Sequence, residues 1–266
     1  MEIFTSDKKV QQRLDRLEYQ ELLDYFRRLQ EPVILREIRK NFPEHKHLDK
    51  DLEFLIEQGI VSRIERRYKL SVPLLTNYPT DEKVNAFVHE SNNQYSPEEL
   101  LVWLGEEVWS DQLRSTVAVD FPLATRNCLE NEAFRLVTIN QGGTLTETLP
   151  NYFETIEQPT LFPTLAPLIG DVNLEFFMNQ ITLLLERVLA MKAPRRKSIF
   201  LESLVTSQLI AEQPDWHVSI PVYEESFSQP QLPKEQNETA FFFSRQLAER
   251  LLGDQASFTY LIKKKA

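Results

Sequence analysis

At 266 residues, with 42% hydrophobic and 26% charged residues, the chain has the composition of an ordinary soluble globular protein and the length of about two domains. No run approaches the roughly 18 apolar residues of a membrane span. A single cysteine, Cys128, excludes an internal disulfide. The start, MEIFTSDKKVQQRLDRLE, has no apolar signal-type stretch, so the expected location is cytoplasmic and no membrane partner is expected. The net charge of −10 is unevenly placed: 15 Lys+Arg against 14 Asp+Glu through Leu75 leave +1, and 15 against 26 thereafter leave −11. That balance permits a nucleic-acid partner for the N-terminal part without demanding one.

Residues 10–30 carry Val10, Leu14, Leu17, Leu22, Tyr25, Phe26 and Leu29 at helical spacing, which predicts one long amphipathic helix. Pro32 suits the first turn of the next helix, and Phe42-Pro43 ends it, because a proline pushes its predecessor out of the αR region. From Leu48 the stripe Leu48, Leu52, Leu55, Ile56 predicts a further helix, capped by Gly59. Alternation at Ile60, Ser62, Ile64 and at Tyr68, Leu70, Val72 then predicts a β-hairpin whose tip is Glu65-Arg66-Arg67.

Helix, turn, helix and a basic hairpin after a long helix resemble the winged helix-turn-helix domain over residues 10–75, the most characteristic run being Leu52-x-x-Leu55-x-x-x-Gly59-Ile60-Val61-x-Arg63 and on to Tyr68-x-Leu70. The whole chain is also similar to an uncharacterised family of Gram-positive bacterial proteins. The winged-helix resemblance implies DNA binding, with the N-terminal end of the second helix reading bases and the hairpin touching phosphates. On that reading the candidate DNA-binding residues are His45, Lys46, His47 and Lys50 around the second helix, and Arg63, Arg66, Arg67 and Lys69 on the wing. Arginine suits phosphate because its planar fork donates bidentately. Glu53 and Glu57 offset Lys46 and Lys50. Phe54, on the outward side, either packs on the long helix or the C-terminal domain, or anchors a protein partner.

A boundary is expected near residues 73–81, separating a 1–75 domain from a 76–266 domain. In the latter, Thr80 heads a helix over 81–89. Ser96-Pro97-Glu98-Glu99 is a capping box that opens a helix over 97–113. STVAVDF (115–121) and FRLVTIN (134–140) predict strands. Residues 171–191 predict the strongest helix, apolar on both sides through Phe176 and Leu183, and hence buried on both as a core spine or subunit interface. Beyond it come a helix over 198–211, a strand over 216–222, a mobile polar loop over 226–239, a helix over 240–252 and a closing strand over 257–262.

Six glycines form no GxGxxG, Walker A loop or nucleophile elbow. His45-x-His47 is read as a surface pair, Cys128 as a small core residue, and Glu106-Glu107 and Glu224-Glu225 as solvated faces. No catalytic residue, metal ligand or cofactor is expected. The fold class is therefore α+β and helix-rich, a winged helix followed by a larger mixed domain that serves oligomerisation or sensing. The leading function is DNA binding in transcriptional control. The alternative is a winged helix used as a protein-interaction module, and the partners expected are double-stranded DNA, a second copy or another protein.

Overall fold

In a computed structural model, every residue is described except 92, 114, 228, 229, 231, 233–236 and 266. The chain is a mixed α+β protein. It divides into two units, one formed by Met1–Asp81, Ser110–Pro122 and Gln236–Phe242, the other by Glu82–Trp109, Leu123–Glu235 and Phe243–Ala266.

The first unit begins with strand β1 (Glu2–Phe4), then helices α1 (Lys8–Leu14) and α2 (Leu17–Arg28). Asp7 caps α1 by accepting from the Lys9 and Val10 amides. The single helix expected over 10–30 is therefore broken at Asp15-Arg16, where Arg16 is extended at φ −71°, ψ 144°. That break turns Arg13 and Tyr19 onto one carboxylate, Asp51, and leaves Leu17 72% exposed. Strand β2 (Val33–Ile34), α3 (Leu35–Asn41), α4 (Leu48–Glu57), β3 (Val61–Ile64) and β4 (Arg67–Leu70) follow. Their sheet has the order β2-β4-β3, so the hairpin gains a third, two-residue strand. Leu48, Leu52 and Leu55 of α4 pack with Tyr19, Leu22, Leu23 and Phe26 of α2 in one core.

β5 (Leu74–Leu75) and β6 (Val117–Val119) complete this unit in a second sheet, β1-β6-β5. The opening segment of this unit ends at Asp81, within the range expected for the boundary, but the unit also takes in Ser110–Pro122 and Gln236–Phe242. The strand read at 115–121 as part of the C-terminal domain pairs with β1 and β5, and its Ala118 is fully buried in the first unit's core. Strands of two or three residues are too short to show a period, which is why β1, β2 and β5 left no signal in the sequence.

The second unit contains α5 (Asp81–Ser91, all but its first residue), α6 (Pro97–Trp103), β7 (Thr125–Glu130), β8 (Phe134–Asn140), α7 (Leu149–Glu154), α8 (Leu165–Ile169), α9 (Leu174–Leu189) and α10 (Ile199–Thr206). After these come β9 (Ile210–Ala211), β10 (His217–Val218), β11 (Val222–Glu224), most of α11 (Asn237–Leu252) and β12 (Ser257–Lys263). The main sheet runs β11-β12-β8-β7, antiparallel except for β11 against β12. Phe134, Leu136 and Leu261 face a core with α7 to α10, while Val137, Ile139, Tyr260 and Ile262 face α6 and α11. Helices cover both faces, so the two central strands are nearly continuous in apolar residues.

Several readings of this unit change: the helix expected over 198–211 stops at Thr206, with Ile210–Ala211 in β9, and the strand expected over 216–222 is divided between β10 and β11. The capping box at Ser96 is formed as expected, with Ser96 and Glu99 bonded reciprocally, but the helix does not reach residue 113. Past Trp103 the backbone widens into a π turn, Leu104–Val108, and ends at Trp109. Glu106 in that turn is not on a solvated face: its side chain is 6% exposed and accepts from Arg126 at 3.5 Å, Arg135 at 2.5 Å and the Tyr260 hydroxyl at 2.8 Å. Burying a carboxylate requires partners of this kind. α9 changes as well: its inner residues Phe177, Ile181, Leu185 and Val188 are buried while Phe176 is 54% and Leu183 61% exposed. It is buried on one side. Half of the loop expected over 226–239 lies outside the described residues, and 237–239 belong to α11.

Candidate nucleic-acid interface

The turn between α3 and α4 sits against α1 and α2 through one half-buried carboxylate. Asp51, on the first turns of α4, accepts from the Tyr19 hydroxyl, from Arg13 Nη2 at 3.2 Å and from His45 Nε2 at 2.9 Å. Burial opposes its ionisation, but donation from Tyr19, His45 and Arg13 holds the carboxyl below the usual carboxylate range. Tyr19, buried and bonded to that carboxylate, has its pKa pushed up to about 12. The hub therefore stays anionic at Asp51 and neutral at Tyr19 near pH 7.

Two of the sequence-derived residues are removed from the surface by this arrangement. His45 has a side chain only 7% exposed, bonded to Asp51 and edge-on to the Phe42 ring. It holds the turn and does not face a groove. Phe54 is buried at 9%, with Tyr19 edge-on at 5.5 Å and the Arg13 guanidinium 3.8 Å from its ring centroid. The α2-packing account of Phe54 is the one the geometry matches, since its ring is covered by Tyr19 and Arg13.

Lys46, His47 and Lys50 are exposed at the N-terminal end of α4. With Arg13 and Arg16 they line an open concavity of about 780 Å³, which also takes in Glu18, Glu21 and Glu44. Neither Lys46 nor Lys50 is ion-paired among the described residues, whereas the neighbouring Asp49 is paired with Arg39 at 2.6 Å. α3 adds Arg36, Arg39 and Lys40, all exposed, which the sequence reading passed over. Their signal was available, since all three fall away from Ile38, the buried residue of that helix.

On the hairpin, Arg63, Arg66, Arg67 and Lys69 are exposed against one exposed carboxylate, Glu65. The tip turns through Glu65 and Arg66 at φ 50° and 63°, a left-handed pair of the kind usually met with Asn-Gly. Arg67 donates to the Pro32 carbonyl at 3.2 Å and so ties the tip to β2, and Arg63 lies 5.5 Å from the Tyr68 ring centroid. Arg66 and Lys69 have no ion pair among the described residues. Ile64 is 61% exposed beside them.

Among the described residues, no group of three or more His, Cys, Asp or Glu is placed to hold a metal ion, and no helix is long and apolar enough to cross a membrane. Cys128 is half-buried on β7, and burial pushes its thiol pKa up, which disfavours the reactive thiolate.

Residues 2–102 match a family described as a domain of unknown function, DUF1803; the match spans α1 to α4, the hairpin, α5 and most of α6. No curated protein and no solved structure matches the chain.

Proposed function

We propose that the first unit is a winged helix that binds double-stranded DNA in a transcription-regulating protein. In this reading the N-terminal end of α4 enters the major groove and the β3-β4 hairpin lies along the backbone. The observation that carries it is the hairpin itself: directly after α4 it presents four exposed cations against one carboxylate, in a chain whose net charge is −10. The order α2, β2, α3, α4, β3, β4, with β2 paired to β4, supports the winged-helix reading.

The supporting experiment is a salt titration on duplex fragments from around the gene. With about six phosphate contacts from Lys46, Lys50, Arg63, Arg66, Arg67 and Lys69, log K should fall against log salt with a slope of about −4 to −5. Replacing Arg66 and Lys69 by Ala should weaken binding to all sequences alike and flatten the slope by about two, because phosphate contacts position without reading bases. A substitution at His47, at the N-terminal end of α4, should change sequence preference instead. Absence of binding at low salt, or binding indifferent to the hairpin cations, overturns the proposal.

A further inference from the structure

β7 closes the main sheet on one side, and the hydrogen bonds around it fix which of its backbone groups point outward. The Asn131 amide donates to the Phe134 carbonyl at 2.9 Å, which makes 131 and 134 a hydrogen-bonded pair. Bonded and non-bonded pairs alternate along an antiparallel ladder. In the register from Thr125↔Asn140 to Glu130↔Arg135, residues 125, 127 and 129 therefore turn their N–H and C=O groups to β8. The far side of β8 agrees: Gln141 donates to the Ala256 carbonyl and Lys264 to the Ala133 carbonyl, so residues 135, 137 and 139 face β12. The backbone groups of Arg126, Cys128 and Glu130 accordingly point away from the sheet, and none has a hydrogen-bond partner among the described residues. Sheets blunt an open edge by shortening it, as at β11 with three residues, whereas β7 has six.

These outward groups select one pairing with a copy of themselves. Two β7 strands related by a two-fold axis run antiparallel, and an axis at Cys128 engages all three residues of each copy in about six hydrogen bonds. An axis moved by one residue engages only two of each. The fully bonded register sets Arg126 opposite the second copy's Glu130, at both ends of the ladder. Arg126 reaches Glu106 only at 3.5 Å, and its Nε is buried with no hydrogen-bond partner among the described residues. Glu130 is 52% exposed and, beyond Arg135 at 2.9 Å and Lys264 at 3.1 Å, has lone pairs to spare. Opposite charges directly across a strand pair stabilise it. We infer that the open edge of β7 is the docking surface for a second copy of this chain, which continues the four-stranded sheet across a two-fold axis at Cys128.

The test is sedimentation of the full chain over a range of concentrations, joined to residue-resolved amide exchange on the same samples. Wild type is expected to dimerise with concentration. In the dimer the amides of Arg126, Cys128 and Glu130 should exchange at least about tenfold more slowly than after dilution to the monomer, while those of Asn127 and Leu129 stay protected at both concentrations. Cys128→Pro removes an amide that β8 does not use, so the dissociation constant should rise by at least about tenfold with the circular dichroism spectrum retained. Glu130→Lys sets like charges opposite each other and should weaken the dimer as well. Where the proline variant fails to fold, the exchange pattern of wild type decides. A wild-type monomer at the highest soluble concentration overturns the inference and leaves the edge to a strand of another protein. So does a dimer whose three outward amides exchange alike before and after dilution, or one that the folded proline variant forms as tightly as wild type.

Discussion

The guanidinium of Arg13 lies over the face of Phe54, 3.8 Å from the ring centroid, while the same side chain donates to Asp51 at 3.2 Å. One residue of α1 thus covers an aromatic ring of α4 and helps satisfy its half-buried carboxylate. Guanidinium suits both tasks, because it is planar and weakly hydrated and has donors to spare at its edge. The consequence for function is that α4 meets solvent through Asp49, Lys50, Glu53 and Glu57, with Lys46 and His47 in the turn before it, and not through Phe54.

Asp51→Asn is expected to destabilise the protein by about 1–3 kcal/mol at pH 7, since Arg13, Tyr19 and His45 lose a charged acceptor. The folded pKa of Asp51 is depressed. Its stabilisation is accordingly complete above the ordinary carboxylate range near 4 and is lost as pH falls through the folded value. Denaturant unfolding should therefore show a smaller acid-induced loss in the variant than in wild type. Equal pH slopes for the two proteins would mean that Asp51 is not the linked group.

At the hairpin tip, stability and binding should move in opposite directions. Arg66 sits at φ 63°, a conformation that costs a side chain about 1 kcal/mol and glycine almost nothing. Arg66→Gly is therefore expected to raise the thermal midpoint slightly while removing one candidate phosphate contact from the salt slope. Calorimetry and the duplex titration, run on the same sample, check both halves.

Gly105 faces a stricter limit, because a Cβ there would stand 2.3 Å from Tyr260 Oη. Gly105→Ala should cost about 1–3 kcal/mol by overpacking. Removing the hydroxyl with Tyr260→Phe makes room, so the double variant should be less destabilised than the sum of the single changes, a coupling that denaturant titrations of the four proteins measure. Tyr260→Phe alone should also cost stability, since Glu106 would lose one of its donors and keep only the arginines. An additive result would show that the π turn relaxes away from Tyr260.

What could be read from the sequence was whatever rests on local chemistry. Pro43 follows the end of α3, the stripe from Leu48 and the positive φ of Gly59 bound α4, and the alternation around Glu65-Arg66 folds back as β3 and β4, whereas Pro32 stands before β2 and not in the first turn of α3, which starts at Leu35. β8 matches the strand expected from β-branched composition to the residue, and β12 extends its expected strand by one. Such elements are decided by backbone preference and by one buried face, both written in consecutive residues.

Tertiary structure alone decided which apolar residues are covered and which polar ones are drawn inside. Phe54 and Phe176 both stand outside the main stripe of an amphipathic helix, yet Phe54 is buried because Arg13 and Tyr19 reach it, and Phe176 remains 54% exposed because its only aromatic neighbour, among the described residues, is Phe200. His45 and Glu106 read as surface polar residues, but each found its partners in segments distant in the chain or across a turn, at Asp51 and at Arg126, Arg135 and Tyr260. β6 joined β1 and β5, more than 40 residues away, and drew Ser110–Pro122 into the first unit. Periodicity records that a residue is apolar and where it points on its own element. The atoms that cover it come from elsewhere in the chain, and only the packed structure brings them there.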